Sequence, residues 1–293
     1  MRRKNRPALI AFAMRTLSSI KTLQKILQPL HGRKRIGFVP TMGAFHEGHL
    51  ALMRQARREC DYVVVSLFVN PLQFGPKEDF AAYPRPITSD RKKAQETGVD
   101  LLWTPAAEEM YPSPYRTFIE IEEITRRWEG AVRPGHFRGV ATVVAKLFQI
   151  VRPDRAYFGQ KDYQQTRVIH QMVKDLHFPI SIRILSTLRE NDGLAMSSRN
   201  QRLSPAERAA APILFRALQK AEALVRKGAR ESPPLLQEVE ALIRSEPLAR
   251  LDYAALCDPK FLEPLERIQK GAVLLLAVKI GSVRLIDNVL IDI

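Results

Sequence analysis

Short apolar runs rich in β-branched residues recur between residues 36 and 185: Ile36–Val39, Tyr62–Val69, Asp100–Trp103, Arg155–Phe158 and Ile180–Leu185. Between several of them lie longer stretches with helical spacing, Leu50–Glu59, Ser89–Thr97, Val140–Ile150 and Tyr163–Lys174. A run that is apolar almost throughout, such as Val63–Val69, suits a strand covered on both faces. Strand and helix in turn predict βαβ units and a parallel sheet with helices on both faces.

The pattern changes after about residue 187. Ser204-Pro205-Ala206-Glu207 is a helix start, with serine as N-cap, proline at the first helical position and glutamate completing a capping box. That helix is expected to run to about Gly228, and a second to span Pro234–Ser245. Strand-like runs follow at Leu251–Leu256, Ala272–Val278 and Ser282–Leu285. The expectation is an α/β domain over residues 1–187 followed by a small α+β domain over 188–293.

Composition narrows the class of molecule. The chain has 293 residues, 45% hydrophobic and 26% charged, which excludes disorder as its default state. No apolar run approaches the roughly 20 residues that cross a bilayer; Pro7–Met14 and Ala272–Val278 fall far short. The two cysteines, Cys60 and Cys257, form no C-x-x-C pair, so they read as small buried hydrophobes in a reduced cytosol.

The formal net charge of +15 could serve nucleic acid, an anionic membrane or an anionic substrate. Its distribution argues against nucleic acid. The first 46 residues contain no Asp or Glu, Arg2, Arg3, Lys4 and Arg6 crowd the N-terminus, and the rest of the surplus is scattered. Aromatic residues are not interleaved with the basic ones as on a base-stacking surface. Residues 1–13 faintly resemble a targeting peptide without an obvious cleavage site, and Met14 is a candidate start.

The segment Arg35–His49, RIGFVPTMGAFHEGH, carries the first candidate chemistry. A strand is expected to end at Pro40, a turn to carry Gly43 and a helix to start near Gly48. Unpaired N–H groups and the helix dipole favour anions there. His46 and His49 share a face of the first turn and can donate to phosphate oxygens. Gly48 would let a nucleotide approach the backbone. The pair could instead bind a metal, although H-E-x-x-H spacing and a nearby cysteine are lacking, or be two unrelated surface histidines. There is no Walker A sequence and no G-x-G-x-x-G.

Four further segments supply polar groups. Glu190–Asn200, ENDGLAMSSRN, reads as a mobile loop offering Ser197, Ser198 and Arg199 to a polyphosphate. Asn70 and Gln73 follow a strand end, where open α/β sheets bind ligands. At another strand end, Gly159 permits close approach, Lys161 can neutralise phosphate, Asp162 can accept from ribose, and Gln165 can hold substrate. Arg133–Gly139, RPGHFRG, places cationic groups at a helix start; His136 there reads as structural. Each segment alone could be an ordinary turn, loop or solvated helix start.

A strand-turn-helix histidine motif with a downstream Met-Ser-Ser-Arg loop resembles the nucleotidyltransferase superfamily that includes class I aminoacyl-tRNA synthetases. Within it, GFVPTMGAFHEGHL, VSLFVNPLQFGPKEDF, YPR, RPGHFRGVATVVAKLFQIVRPD, YFGQKDYQQ and GLAMSSRN resemble the pantoate–β-alanine ligase family, in family order, from about Met14 to the C-terminus. The resemblance implies a Rossmann-like domain binding ATP and pantoate, a C-terminal lid domain carrying the Met-Ser-Ser-Arg loop, and a cytoplasmic homodimer. It implies Mg2+ held mainly through the ATP phosphates, with no metal site on the protein. Pantoate, β-alanine and ATP would be the substrates, joined through a pantoyl adenylate.

By the same resemblance His46 and His49 match phosphate-binding histidines, and Gln73 and Gln165 match pantoate-binding glutamines. Gly159, Lys161 and Asp162 match ATP contacts. Met196, Ser197, Ser198 and Arg199 match the loop over the phosphates, and Met42 lines the site. Asn70 and Arg133 match positions near β-alanine or phosphate. Residues 1–13 extend beyond the usual start, and Phe45 stands where leucine is usual. Another adenylyl- or cytidylyltransferase would share the histidine motif, but the paired glutamines with the YFGQKDYQQ block argue against it.

Overall fold

A computed structural model describes residues 14–76, 78 and 80–293. The expected extension over residues 1–13 lies outside the described residues. Strand β1 (Arg15–Leu17) leads into helix α1 (Ile20–Leu27), whose N-cap Ser19 accepts from the Thr22 N–H and whose buried face is Leu23 and Leu27. Next come β2 (Ile36–Thr41), α2 (Glu47–Glu59), β3 (Tyr62–Leu67), α3 (Ile87–Glu96), β4 (Leu101–Trp103) and the short helices α4 (Ala107–Met110) and α5 (Glu129–Val132). Helix α6 (His136–Val151), β5 (Arg155–Gly159), α7 (Tyr163–Asp175) and β6 (Ser181–Leu185) complete the first half.

These six strands form one sheet in the order β1-β4-β3-β2-β5-β6, with every pairing parallel. Both faces are covered, as the continuous apolar strands require. Phe38, Val64, Leu101 and Phe158 pack with residues of α1, α6 and α7. Their neighbours Val39, Val63, Val65, Leu102 and Tyr157 pack on the opposite face with α2 and α3. Each such large side chain, buried completely, contributes roughly 1.5–3 kcal/mol.

The remainder is helical and then antiparallel: α8 (Pro205–Ala210), α9 (Ile213–Arg226), α10 (Ser232–Arg244), β7 (Ala249–Cys257), β8 (Ala272–Ile280) and β9 (Val283–Ile291), with sheet order β7-β8-β9. The Ser204 capping box forms as expected. The single helix expected from there to Gly228 is broken in two, because Pro212 has no N–H to continue the ladder. The small sheet is shared between two cores. Val273 and Leu275 of β8 join the core of α6 and α7, while Leu274, Leu276 and Val278 pack with α9 and α10.

Cys60 and Cys257 are free and buried, and burial pushes the Cys257 thiol up to about 12. Among the described residues no helix is long and apolar enough to cross a membrane.

Candidate active site

The chain leaves β2 toward β3 on one side and β5 toward β6 on the other. The crevice outside the carboxyl ends of β2 and β5 is therefore the topological switch point, where open α/β sheets bind ligands. A cleft of about 450 Å3 opens there. Met42, His46, His49, Gly159, Lys161 and Asp162 line it from these two strand ends, with Gln73, Gln165 and Met196–Arg199 around them.

The turn before α2 fixes the histidines. Gly43 has φ +89° and Ala44 +53°, both in the left-handed region. That strained turn is held by Asp90 of α3, which is completely buried. Its carboxylate accepts from the Ala44 and Phe45 N–H groups, each at 2.7 Å. One helical turn on, Lys93 Nζ donates to the Phe45 carbonyl at 2.6 Å. Sequence reading missed Asp90. The one signal in the sequence is an acidic residue in the first turn of a helix.

His46 is the N-cap of α2, with His49 at its third position. His46 Nδ1 accepts from the Gly48 N–H at 3.2 Å, and His49 Nδ1 accepts from the His46 N–H at 3.4 Å. With Nδ1 accepting, the proton of each neutral ring sits on Nε2. The ring centroids are 4.1 Å apart. Burial and the Lys161 charge push His46 down to about 4, and burial and the neighbouring His46 push His49 down to about 3. At neutral pH the site therefore carries two uncharged Nε2–H donors. Gly48 has a different demonstrable use from the one expected: a Cβ there would lie 2.9 Å from the His46 ring.

This arrangement gives a pH dependence of stability. The ordinary imidazole value is 6.5 and both folded values lie below it. As pH falls, the unfolded chain takes up these protons first. The stabilisation is complete above about 6.5 and is lost progressively as pH falls toward 4 and then 3. NMR titration should find both rings neutral at about pH 5.5; a midpoint near the ordinary value for either would contradict the buried donor state.

Lys161 and Asp162 lie in the turn between β5 and α7, with Lys161 Nζ 3.6 Å from an Asp162 oxygen. Burial pushes the Asp162 carboxyl up, but Lys161 and Arg199 outweigh it and hold it below its usual range. A Cβ built on Gly159 meets nothing within 4 Å, so this strand end is open. Ser197 caps a 3-10 turn, Ser198–Arg202, accepting from the Arg199 N–H. The loop expected to be mobile is tied at its base. Asn200 and Arg208 both bond Glu190, and Arg208 also bonds Asp192.

Gln73 and Asn70 sit on a 3-10 turn after β3, Pro71–Gln73 with Asn70 as its cap. Gln73 Nε2 donates to Met42 Sδ at 3.2 Å and its Oε1 accepts from Asn70 at 3.1 Å. Asn70 also donates to the Gly139 carbonyl and accepts from the Tyr111 hydroxyl, so its amide is committed inside the protein. Arg133 makes two 2.7 Å bonds to Glu78, and its Nη1 lies 3.2 Å from His136 Nε2. His136 donates from Nδ1 to the Gln73 carbonyl at 2.9 Å. Thus Arg133 lines the cleft while its guanidinium is largely engaged, and His136 lines it with its ring held between Arg133 and the Gln73 carbonyl. Gln165 lines the cleft, and its amide has no hydrogen-bond partner among the described residues.

A second cavity of about 370 Å3 adjoins the first and runs beneath the small sheet, sharing Arg133, His136, Lys161, Asp162, Gln165, Ser197 and Arg199 with it. Among the described residues no three His, Cys, Asp or Glu side chains gather as a metal cage.

A doubly wound sheet whose switch point gathers neutral imidazole donors, a lysine and a Ser-Ser-Arg turn belongs to the class of α/β proteins with a donor-rich cleft suited to anionic ligands. Comparison with known proteins narrows the class. The family model for pantoate–β-alanine ligase matches residues 15–290, and the chain belongs to that family. It is 53% identical over 282 residues to pantothenate synthetase of Heliobacterium modesticaldum, covering 96% of this chain and 100% of that protein. The solved pantothenate synthetase of Thermus thermophilus superposes with a TM-score of 0.90 at 50% identity, covering 94% of this chain and 99% of that one. The Francisella tularensis pantoate–β-alanine ligase, solved in complex with β,γ-ATP and β-alanine, gives a TM-score of 0.80 at 35% identity, over 95% and 98%.

Proposed function

We propose that the cleft joins pantoate to β-alanine at the expense of ATP, through a pantoyl adenylate. The observation that carries this reading is the meeting, in one cleft, of two neutral Nε2–H donors, Lys161, the Ser197–Arg199 turn and the Gln73 and Gln165 amides. In the first step the pantoate carboxylate oxygen attacks the α-phosphorus. The bond from that phosphorus to the bridging oxygen breaks, and pyrophosphate leaves. In the second step the amine of β-alanine attacks the acyl carbon, the carbon–oxygen bond breaks, and AMP leaves as the nitrogen loses its proton.

His46, His49, Lys161, Ser197, Ser198 and Arg199 would offset the charge that builds on the phosphates, as preorganised donors do in a site shielded from water. Gly159, Asp162, Met42 and Met196 would seat the nucleoside. Gln73 and Gln165 would hold pantoate, with Asn70 and Arg133 keeping the Gln73 turn in place. No protein nucleophile is required, since adenylation itself makes the carboxylate a good acyl donor; catalysis is positioning and charge stabilisation. The fit of Mg2+ rests on donor chemistry. Mg2+ uses few protein carboxylates and keeps phosphate and water ligands, and among the described residues Asp162 is the one acidic side chain lining the cleft, so the ion would be held mainly through the ATP phosphates. When bound, the ion would neutralise phosphate charge.

The same reading takes residues 1–187 as the ATP- and pantoate-binding domain and 188–293 as the lid, in a cytoplasmic homodimer. Formation of AMP tests the reaction: it should require both pantoate and β-alanine at steady state, and AMP release with either alone at full rate would refute it. Gln73→Ala should weaken pantoate use while sparing ATP binding. The check is the KM for each substrate, and an equal loss of both would make the residue structural.

A further inference from the structure

β9 is apolar on its buried positions except for two neighbours, Asp287 and Asn288, which are 3% and 2% exposed. Buried polar side chains cost stability unless their hydrogen bonds are met, and an apolar pair could pack a sheet equally well. Both side chains here are fully engaged, and both reach outside their own sheet.

Asn288 Nδ2 donates to the Lys161 carbonyl at 2.8 Å and to the Gln160 carbonyl at 3.0 Å, and its Oδ1 accepts from Gln160 Nε2 at 3.3 Å. Asp287 accepts both guanidinium bonds of Arg189, at 2.6 and 3.0 Å. Arg189 in turn donates to the Gly193 carbonyl and lies over the Phe215 ring. It is also bridged to Ala195, one residue before Met196. Consecutive strand residues point to opposite faces, and these two reach different loops. One holds the turn that carries Lys161, the other the base of the loop that carries Ser197–Arg199.

We infer that Asp287 and Asn288 are positioning residues for adenylation, setting from one dipeptide of the small sheet the distance between Lys161 and the Ser197–Arg199 turn. Neither needs to touch substrate. The phosphate groups must meet donors from the turn after β5 and from the loop at once, and a misplacement of about 1 Å can cost on the order of 100-fold in rate. The small sheet thereby becomes part of the adenylation machinery as well as a cover. This inference rests on the ligase reading.

The test is pantoate-dependent exchange of labelled pyrophosphate into ATP at saturating ATP, with melting temperatures measured alongside. Asn288→Leu and Asp287→Asn should each lower the exchange rate by about 10- to 100-fold, with the KM for pantoate nearly unchanged. Asn288→Ser, which cannot bridge both carbonyls, serves if the leucine variant does not fold. Leu274→Ala, a core deletion in the same sheet, should lower the melting temperature and keep the rate. Exchange within about twofold of the unaltered protein in the Asp287 and Asn288 variants would overturn the inference. So would an equal rate loss in Leu274→Ala. Absence of pantoate-dependent exchange in the unaltered protein would instead remove the ligase reading, and this inference with it.

Discussion

Replacing His46 or His49 with alanine should slow the adenylation half-reaction by roughly 10²–10³-fold, the scale for losing one preorganised transition-state donor. Each ring is neutral and holds its Nδ1 against a backbone N–H, so each has a single Nε2–H to offer. The two substitutions differ in what else they disturb. His46 is also the N-cap of α2, and losing a cap costs about 1 kcal/mol. His46→Asn restores a capping oxygen without the reach of the imidazole. It should therefore recover the melting temperature and leave the rate low. Single-turnover formation of AMP and pyrophosphate measures the effect. Near-normal turnover in either alanine variant would contradict the role.

Asp90→Ala should be strongly destabilising. It leaves the buried N–H groups of Ala44 and Phe45 without acceptors, each costing about 1–3 kcal/mol. It also frees a left-handed turn that nothing else on α3 holds except the Lys93 bond to Phe45. The turn leads directly into His46, so the loss should appear both as a lower melting temperature and as slower adenylation. Asp90→Asn keeps one acceptor and turns a donor toward the second N–H, so it should fall between. Chemical denaturation followed by exchange kinetics on the folded protein separates the two effects. A stable, fully active Asp90→Ala variant would show that the turn holds itself.

The central sheet was legible because its strands are apolar on both faces. Tyr62–Leu67 and Arg155–Gly159 are found within a residue or two of the expected runs. β1 and α1 were not read. Arg15–Leu17 is three residues long and mostly exposed, and Ile20–Leu27 shows its core face only through Leu23 and Leu27. α6 begins at His136, four residues earlier than its apolar run at Val140, because Gly135 with φ +82° and the His136 bond to Gln73 set its start. β9 runs to Ile291, beyond the expected Leu285, because Asp287 and Asn288 interrupt the apolar pattern while remaining strand.

Cleft-lining positions were legible where residue type suits a ligand: His46, His49, Lys161 and Gln165 meet in one cleft. The supports were not. Asp90, Asp287 and Asn288 act through backbone groups and through Arg189, and no local spacing announces such long-range contacts. Asn70 and Arg133 show the converse. Their residue types suggest a ligand, and their hydrogen bonds go mainly to Gly139, Tyr111 and Glu78.

The most direct measurement of the central claim is exchange of labelled pyrophosphate into ATP with β-alanine left out. If the cleft forms a pantoyl adenylate, exchange should proceed when pantoate is present and stop when it is withheld. Exchange that ignores pantoate, or that requires β-alanine, would contradict it.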